Sequence, residues 1–179
     1  MNFEPLALEG AYRIPLKRLE DSRGYFARSY CEAHFKEAGL NTHWPQSNLS
    51  LNHHRGTLRG MHFQHPPHGE IKLVSCLQGS LFDVLVDLRP NAPSYGQWLG
   101  ITLEASNPCT LYIPNGVAHG FQTLEDDTLV HYQMGSNYHP QAQAGFLWND
   151  PKVGIQWPHP DIAILSAKDA ELPMLAQAL

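Results

Sequence analysis

Apolar and polar residues alternate along much of this chain in short runs, most of them bounded by Gly, Pro, Asn, Asp or Ser. A two-residue period puts every second side chain on one face, as a half-buried strand requires. Residues 11–20 alternate weakly through Tyr12, Ile14 and Leu16, and Tyr25–Tyr30 is a short aromatic run. Strand patterns follow at Gln46–Leu51, Leu58–Gln64, Ile71–Leu77, Leu81–Leu88, Trp98–Leu103, Thr110–Ile113, Val117–Phe121 and Thr128–Met134. In the last of these, Thr128, Val130, Tyr132 and Met134 share a face. Asp21-Ser22-Arg23-Gly24 has turn chemistry, because Asp and Ser bond their own backbone and Gly accepts positive φ. His65–Gly69, Gln78–Ser80, Arg89–Ser94 and Pro114–Gly116 are further turn or loop segments. One clear helix is expected at Glu32–Ala38, closed by Gly39, and a short one starts at Ser166-Ala167-Lys168-Asp169. Many short strands between Gly/Pro turns point to an all-β sandwich or barrel, and their number favours a jelly roll.

The run Leu58-Arg59-Gly60-Met61-His62-Phe63-Gln64 carries the most chemistry. Strict alternation puts His62 on one face with Leu58 and Gln64, and Arg59 on the other with Met61 and Phe63. A bulge or twist at Gly60 is needed to bring Arg59 and His62 into one pocket.

Length and composition narrow the class. At 179 residues, with 42% hydrophobic and 16% charged residues, one soluble domain spanning 1–179 is expected. A formal net charge of -5 argues against a nucleic-acid-coating role, though a local basic pocket for an anionic small molecule stays open. No apolar run reaches membrane-spanning length, and the N-terminus lacks a secretory pattern. Cys31, Cys76 and Cys109 are odd in number and widely spaced, which fits a reduced, cytoplasmic protein.

Polar residues near strand ends supply candidate chemistry: Arg23, Arg59, His62, Lys72, His119, Tyr132 and Asp169. The cations suit a phosphate or pyrophosphate. His62 and Tyr132 can act as general base and acid, Asp169 can orient the imidazole, and Lys72 can stabilise an oxyanion. From spacing alone, a core Tyr, an exposed Lys and a structural His read equally well. His62, His65, His68, Glu70 and His119 also contain metal-ligand types. Metal-binding cupin barrels usually begin with two histidines separated by one residue; Gln64 stands at the second position here, which favours metal-free use of His62.

Taken together, Asp21–Phe26, Gln46-Ser47-Asn48, Leu58–Gln64, Lys72, Phe82–Val84, Val86–Arg89, Ile113–Phe121, Tyr132, Trp148–Pro151, Ile155–Pro158 and Ser166–Asp169 resemble the nucleotide-sugar epimerases typified by dTDP-4-dehydrorhamnose 3,5-epimerase. The resemblance runs through nearly the whole chain in the family's order. It implies a cupin-like jelly roll, a homodimer and no metal or organic cofactor. It further implies proton removal and return at the carbons flanking the ketone of a nucleotide-linked 4-keto-6-deoxyhexose. On this resemblance His62 is the base paired with Asp169, Tyr132 the acid, and Lys72 the enolate stabiliser. Arg23 and Arg59 hold the pyrophosphate and its surroundings, with His119 in the sugar pocket. Gln46 and Asn48 line the nucleotide site, Tyr138 stacks on the base, and Lys168 matches a further ligand position.

Two positions depart from the family pattern: Arg28 and Gln143 each replace a ligand-binding glutamate. The segment Ser47–Arg59 is also one residue longer than usual. Arg offers only donors where a carboxylate accepts the N–H of thymine, so a CDP-linked sugar is one expectation. Rival readings are inversion at C3 or C5 alone, a non-catalytic sugar-nucleotide binding protein, and a metal cupin.

Overall fold

The alternating runs form strands, and the strands close into two facing sheets. A computed structural model describes residues 1–179. In chain order the elements are β1 (Glu4–Pro5), β2 (Tyr12–Pro15), β3 (Arg18–Asp21), β4 (Gly24–Ala27), α1 (Glu32–Glu37), β5 (Gln46–Asn52), β6 (Leu58–Gln64) and β7 (Lys72–Gln78). They continue as β8 (Ser80–Asp87), β9 (Trp98–Glu104), β10 (Cys109–Ile113), β11 (Val117–Thr123), β12 (Thr128–Met134), β13 (Gln143–Gly145), α2 (Ala167–Ala170) and α3 (Leu175–Ala178). One sheet has the order β1-β2-β10-β7-β12-β5 and the other β13-β6-β11-β8-β9, while β3 and β4 pair only with each other. The crossovers between sequence-distant strands make this the expected cupin-like jelly roll.

Side-chain parity then separates three apolar layers. Val74, Cys76, Leu81, Leu85, Leu111, Ile113, Val117, Phe121 and Val130 point between the sheets and form the central core. The opposite face of the five-stranded sheet carries Met61, Phe63, Val84 and Val86, and the C-terminal segment covers it with Phe146, Val153, Ile155 and Trp157. On the outer face of the six-stranded sheet, Phe35 of α1 packs with Ile14, Leu73 and Tyr112. Burying one side chain such as Phe146, which is 0% exposed, stabilises the fold by about 2–3 kcal/mol relative to leaving it in water.

Most elements fall where the periodicity puts them, and β12 covers Thr128–Met134. The strand expected at Tyr25–Tyr30 ends at Ala27. The short helix at Ser166 is followed by a second one, α3. β13 has only three residues and depends on β6 for its edge, so it carries no periodic signal of its own.

The bulge in β6 is present. His62 pairs with His119 of β11 and Arg59 with Phe121, so a step of three residues on one strand meets a step of two on the other. The extra residue reverses the parity of the strand. Leu58 therefore joins Met61 and Phe63 in the outer layer, which leaves Arg59 on the same side as His62. Gly60 permits this, with φ of 116° and a backbone that runs against Gly120.

Candidate active site

At one end of the space between the sheets, inward-facing side chains change from apolar to polar. On β7, Lys72 continues the inward row of Val74 and Cys76; on β12, Tyr132 and Met134 continue that of Val130. Gln46 and Asn48 of β5 pair with Met134 and Tyr132, and Lys72 pairs with Met134 from the other side. His62 and Gln64 come from the opposing sheet. These side chains line a cleft of about 330 Å³ together with Phe63, Glu70, Tyr138 and Gln143. An inner recess of about 170 Å³ shares His62, Lys72, Tyr132 and Met134, and adds Arg59, His119 and Phe121.

The His62 Nε2 donates to Asp169 Oδ1 at 2.7 Å. A carboxylate only accepts, so the proton sits on Nε2 and Nδ1 is left as the free, basic nitrogen. Asp169 is brought there by the C-terminal segment. Phe146 exchanges backbone hydrogen bonds with Met61, and Leu58 N donates to Ile164 O, which holds the segment along β6. Ser166 caps α2 through its Oγ, which accepts from Asp169 N. Burial raises the Asp169 carboxyl, but the hydrogen bond and charge of His62 and bonds from Gly60 N–H and Ser166 outweigh it. The net result lies below the ordinary carboxylate value.

A second His–Asp pair lies beside the first. His119 Nε2 donates to Asp83 Oδ2 at 2.9 Å, and Asp83 is 0% exposed, with Oδ1 lacking a protein partner. Lys72, itself buried, forms an ion pair with Glu70 Oε1 at 2.7 Å. Arg59 Nε donates to Asn52 Oδ1 at 2.8 Å. At the rim, Gln143 Oε1 accepts from the Tyr138 hydroxyl at 2.5 Å and from Lys168 Nζ at 2.7 Å.

Eleven of the thirteen residues singled out from the sequence thus gather at or beside the cleft: His62, Tyr132, Asp169, Lys72, Gln46, Asn48, Arg59, His119, Tyr138, Gln143 and Lys168. Arg23 and Arg28 do not. Arg23 sits at the turn of the separate β3–β4 ribbon, 87% exposed and paired with Asp21. Arg28, just past β4, lines a different cavity of about 500 Å³ with Lys17, Phe26 and His34. That cavity is the larger one, yet it contains no base–carboxylate pair, so the chemistry belongs to the smaller cleft. Arg28 therefore lies outside the cleft that gathers those eleven candidate residues.

In the sequence Asp83 has a place in the motif Phe82–Val84 but no role, and Glu70 is considered there only as a metal ligand. Asp83 has a visible signal, a carboxylate in the middle of the apolar run Leu81–Leu88. His65 and His68 lie on the loop after β6, where His68 stacks on His139 at 3.8 Å. No group of three or more His, Cys, Asp or Glu side chains is arranged to hold a metal ion.

The comparisons with known proteins agree with this geometry. The family model described as dTDP-4-dehydrorhamnose 3,5-epimerase matches residues 5–177. An enzyme of that name from Methanothermobacter thermautotrophicus is 44% identical, over 93% of this chain and 90% of its own. A dTDP-4-dehydrorhamnose 3-epimerase from Streptomyces niveus is 36% identical, over 99% and 86%. The crystal structure of the 3,5-epimerase from Elizabethkingia anophelis superposes with a TM-score of 0.95 at 38% identity, covering 99% of this chain and 97% of that one. A Legionella pneumophila enzyme in complex with dTDP-4-keto-L-rhamnose superposes at 0.92 with 35% identity, covering 98% and 93%. By fold, by sequence along nearly its whole length and by the side chains gathered in its cleft, the chain belongs to the dTDP-4-dehydrorhamnose 3,5-epimerase family.

Proposed function

We propose that this protein epimerises C3 and C5 of dTDP-4-dehydro-6-deoxy-D-glucose, giving dTDP-4-dehydro-L-rhamnose for deoxysugar and polysaccharide synthesis. The observation that carries the reading is the placement of the two proton-transfer groups. His62 belongs to the five-stranded sheet and Tyr132 to the six-stranded sheet, and both line the same cleft. A sugar ring held between the sheets has a base on one face and an acid on the other, as inversion by removal and return of a proton requires.

His62 Nδ1 takes the proton from the carbon next to the ketone, and Asp169 holds the imidazole in the needed tautomer and balances the imidazolium that forms. Charge moves onto the ketone oxygen as the enolate develops. The Lys72 ammonium, held by Glu70, lines that space, and a preorganised charge there acts without rearrangement. Tyr132 then delivers a proton from the other face. Arg59 and His119 hold the sugar and phosphate end, while Gln46, Asn48, Tyr138, Gln143 and Lys168 hold the nucleoside. No step calls for a metal or organic cofactor.

The proposal includes a cytoplasmic homodimer built from a single domain. Leu49, Leu51 and Leu77 are exposed on the six-stranded sheet, and Leu19, Tyr25 and Phe26 on the ribbon, so an apolar surface is available for a second copy. Arg23, remote from its own cleft, then serves the cleft of the partner. No helix is long and apolar enough to cross a membrane.

The test is turnover of the dTDP-linked 4-keto sugar by wild type, His62→Asn and Tyr132→Phe proteins. Loss of about 10²–10⁴-fold in each variant is expected, the usual worth of a positioned acid or base. Near-normal turnover in His62→Asn would overturn the assignment. Inversion at C3 alone, as in the Streptomyces niveus relative's name, is the second reading.

A further inference from the structure

We infer that Glu70 is a positioning residue for this reaction, fixing the Lys72 ammonium at the cleft before the enolate forms. The inference rests on the epimerase reading and extends it to a side chain outside the acid–base set. Lys72 ends a four-carbon stem with many rotamers, yet its residue is only 7% exposed. Its ammonium has one ionic partner, Glu70 Oε1 at 2.7 Å. The carboxylate is itself held: its other oxygen, Oε2, accepts from Gln64 Nε2 at 3.0 Å. Gln64 is fixed at both ends of its amide. Nε2 also donates to His68 O at 3.1 Å, and Oε1 accepts from His139 N at 2.9 Å.

The result is a continuous chain from Lys72 through Glu70 and Gln64 to the backbone of His139, the neighbour of Tyr138. It joins the cation of the reacting end to the segment that carries the stacking aromatic. Glu70 lies on the loop between β6 and β7, and each of its oxygens already has a partner, Oε1 the Lys72 ammonium and Oε2 the Gln64 amide. Its effect on the reaction therefore runs through Lys72. A preorganised donor must already point at the developing charge, because reorienting it during the reaction forfeits most of its benefit. A flexible ammonium without this carboxylate samples other rotamers and loses that preorganisation.

The test is a double-mutant cycle with Glu70→Ala and Lys72→Gln, assayed with the dTDP-linked 4-keto sugar, with thermal unfolding confirming that each variant is folded. Glu70→Ala is expected to lower kcat by at least about tenfold while KM changes by less than about threefold, a fraction of what losing the charge itself costs. In the Lys72→Gln background the same replacement should change kcat by less than about twofold, since coupled residues are non-additive. An equal loss in both backgrounds, or a rise in KM with kcat intact, overturns the inference. A second arm needs no turnover: nitrogen-15 NMR of the Lys72 ammonium. A slowly exchanging signal in the wild type, lost in Glu70→Ala, supports the clamp, and a signal indifferent to the replacement overturns it. An inactive wild type with an intact clamp signal would count against the epimerase reading alone.

Discussion

Replacing Gly60 by alanine perturbs the bulge on which the site geometry depends. At φ of 116° an L-residue is strained, which costs about 1–3 kcal/mol. The added Cβ would lie 2.7 Å from Gly120 Cα and 2.9 Å from His119 O, both backbone atoms that cannot rotate away. Overpacking of that kind adds about 1–3 kcal/mol, for a sum near 4 kcal/mol. In a domain of this size each kcal/mol lowers Tm by roughly 2–4 °C, so a fall of roughly 8–16 °C is expected in thermal unfolding followed by circular dichroism. Gly96 is the control. It has φ of 75° but nothing within 4 Å of the place an added methyl would occupy, so Gly96→Ala isolates the backbone cost at about 1 kcal/mol, or roughly 2–4 °C. Activity should also fall in Gly60→Ala at temperatures where it is folded, because Arg59 and His62 flank the shifted backbone. A Gly60→Ala protein as stable and active as Gly96→Ala would refute the claim that close packing against Gly120 sets the parity of β6.

Other expectations follow from the same structure. Asp169→Asn replaces a carboxylate that only accepts by a neutral amide that can also donate, so the His62 tautomer is no longer fixed and the imidazolium no longer balanced; kcat should drop by about 10² or more with KM little changed. Because the folded Asp169 carboxyl sits below its ordinary value, its contribution to stability is complete above about pH 5. It fades as pH falls through the lowered value, so the Tm gap between wild type and Asp169→Asn should hold above about pH 5 and narrow as the pH is taken below it. Phe146→Ala hollows the layer that anchors the C-terminal segment; a cost of about 3–5 kcal/mol, or roughly 6–20 °C in Tm, is expected by calorimetry. Incubation with a chelator should leave turnover unchanged, and activity that returns only on adding metal would contradict the roles given to Lys72 and His62.

Local pattern made most of the fold legible. Period-two runs marked the long strands, and Ser166 three residues before Asp169 marked the helix cap that brings the carboxylate to His62. The need for a bend at Gly60 was also readable, because Arg59 and His62 lie an odd number of residues apart and strict alternation separates them. What local pattern does not contain is which strand end meets which. Asp83 and His119 are 36 residues apart and meet only because β8 and β11 pair in register. The same limit applies to Arg23 and Arg28: their turn was readable, but the pairing of β3 with β4 alone, away from both sheets, depends on strand partners elsewhere in the chain. Of the candidate residues, Arg23 and Arg28 therefore stand apart from the cleft where the other eleven gather.

The central claim is that one base and one acid, on facing sheets, invert two carbons of the same sugar. Its most direct test is NMR of the sugar after turnover of dTDP-4-dehydro-6-deoxy-D-glucose in deuterated water. Deuterium at both C3 and C5, with the L-configured product accumulating, is the expected result. Label confined to one carbon, or none at either, would contradict it.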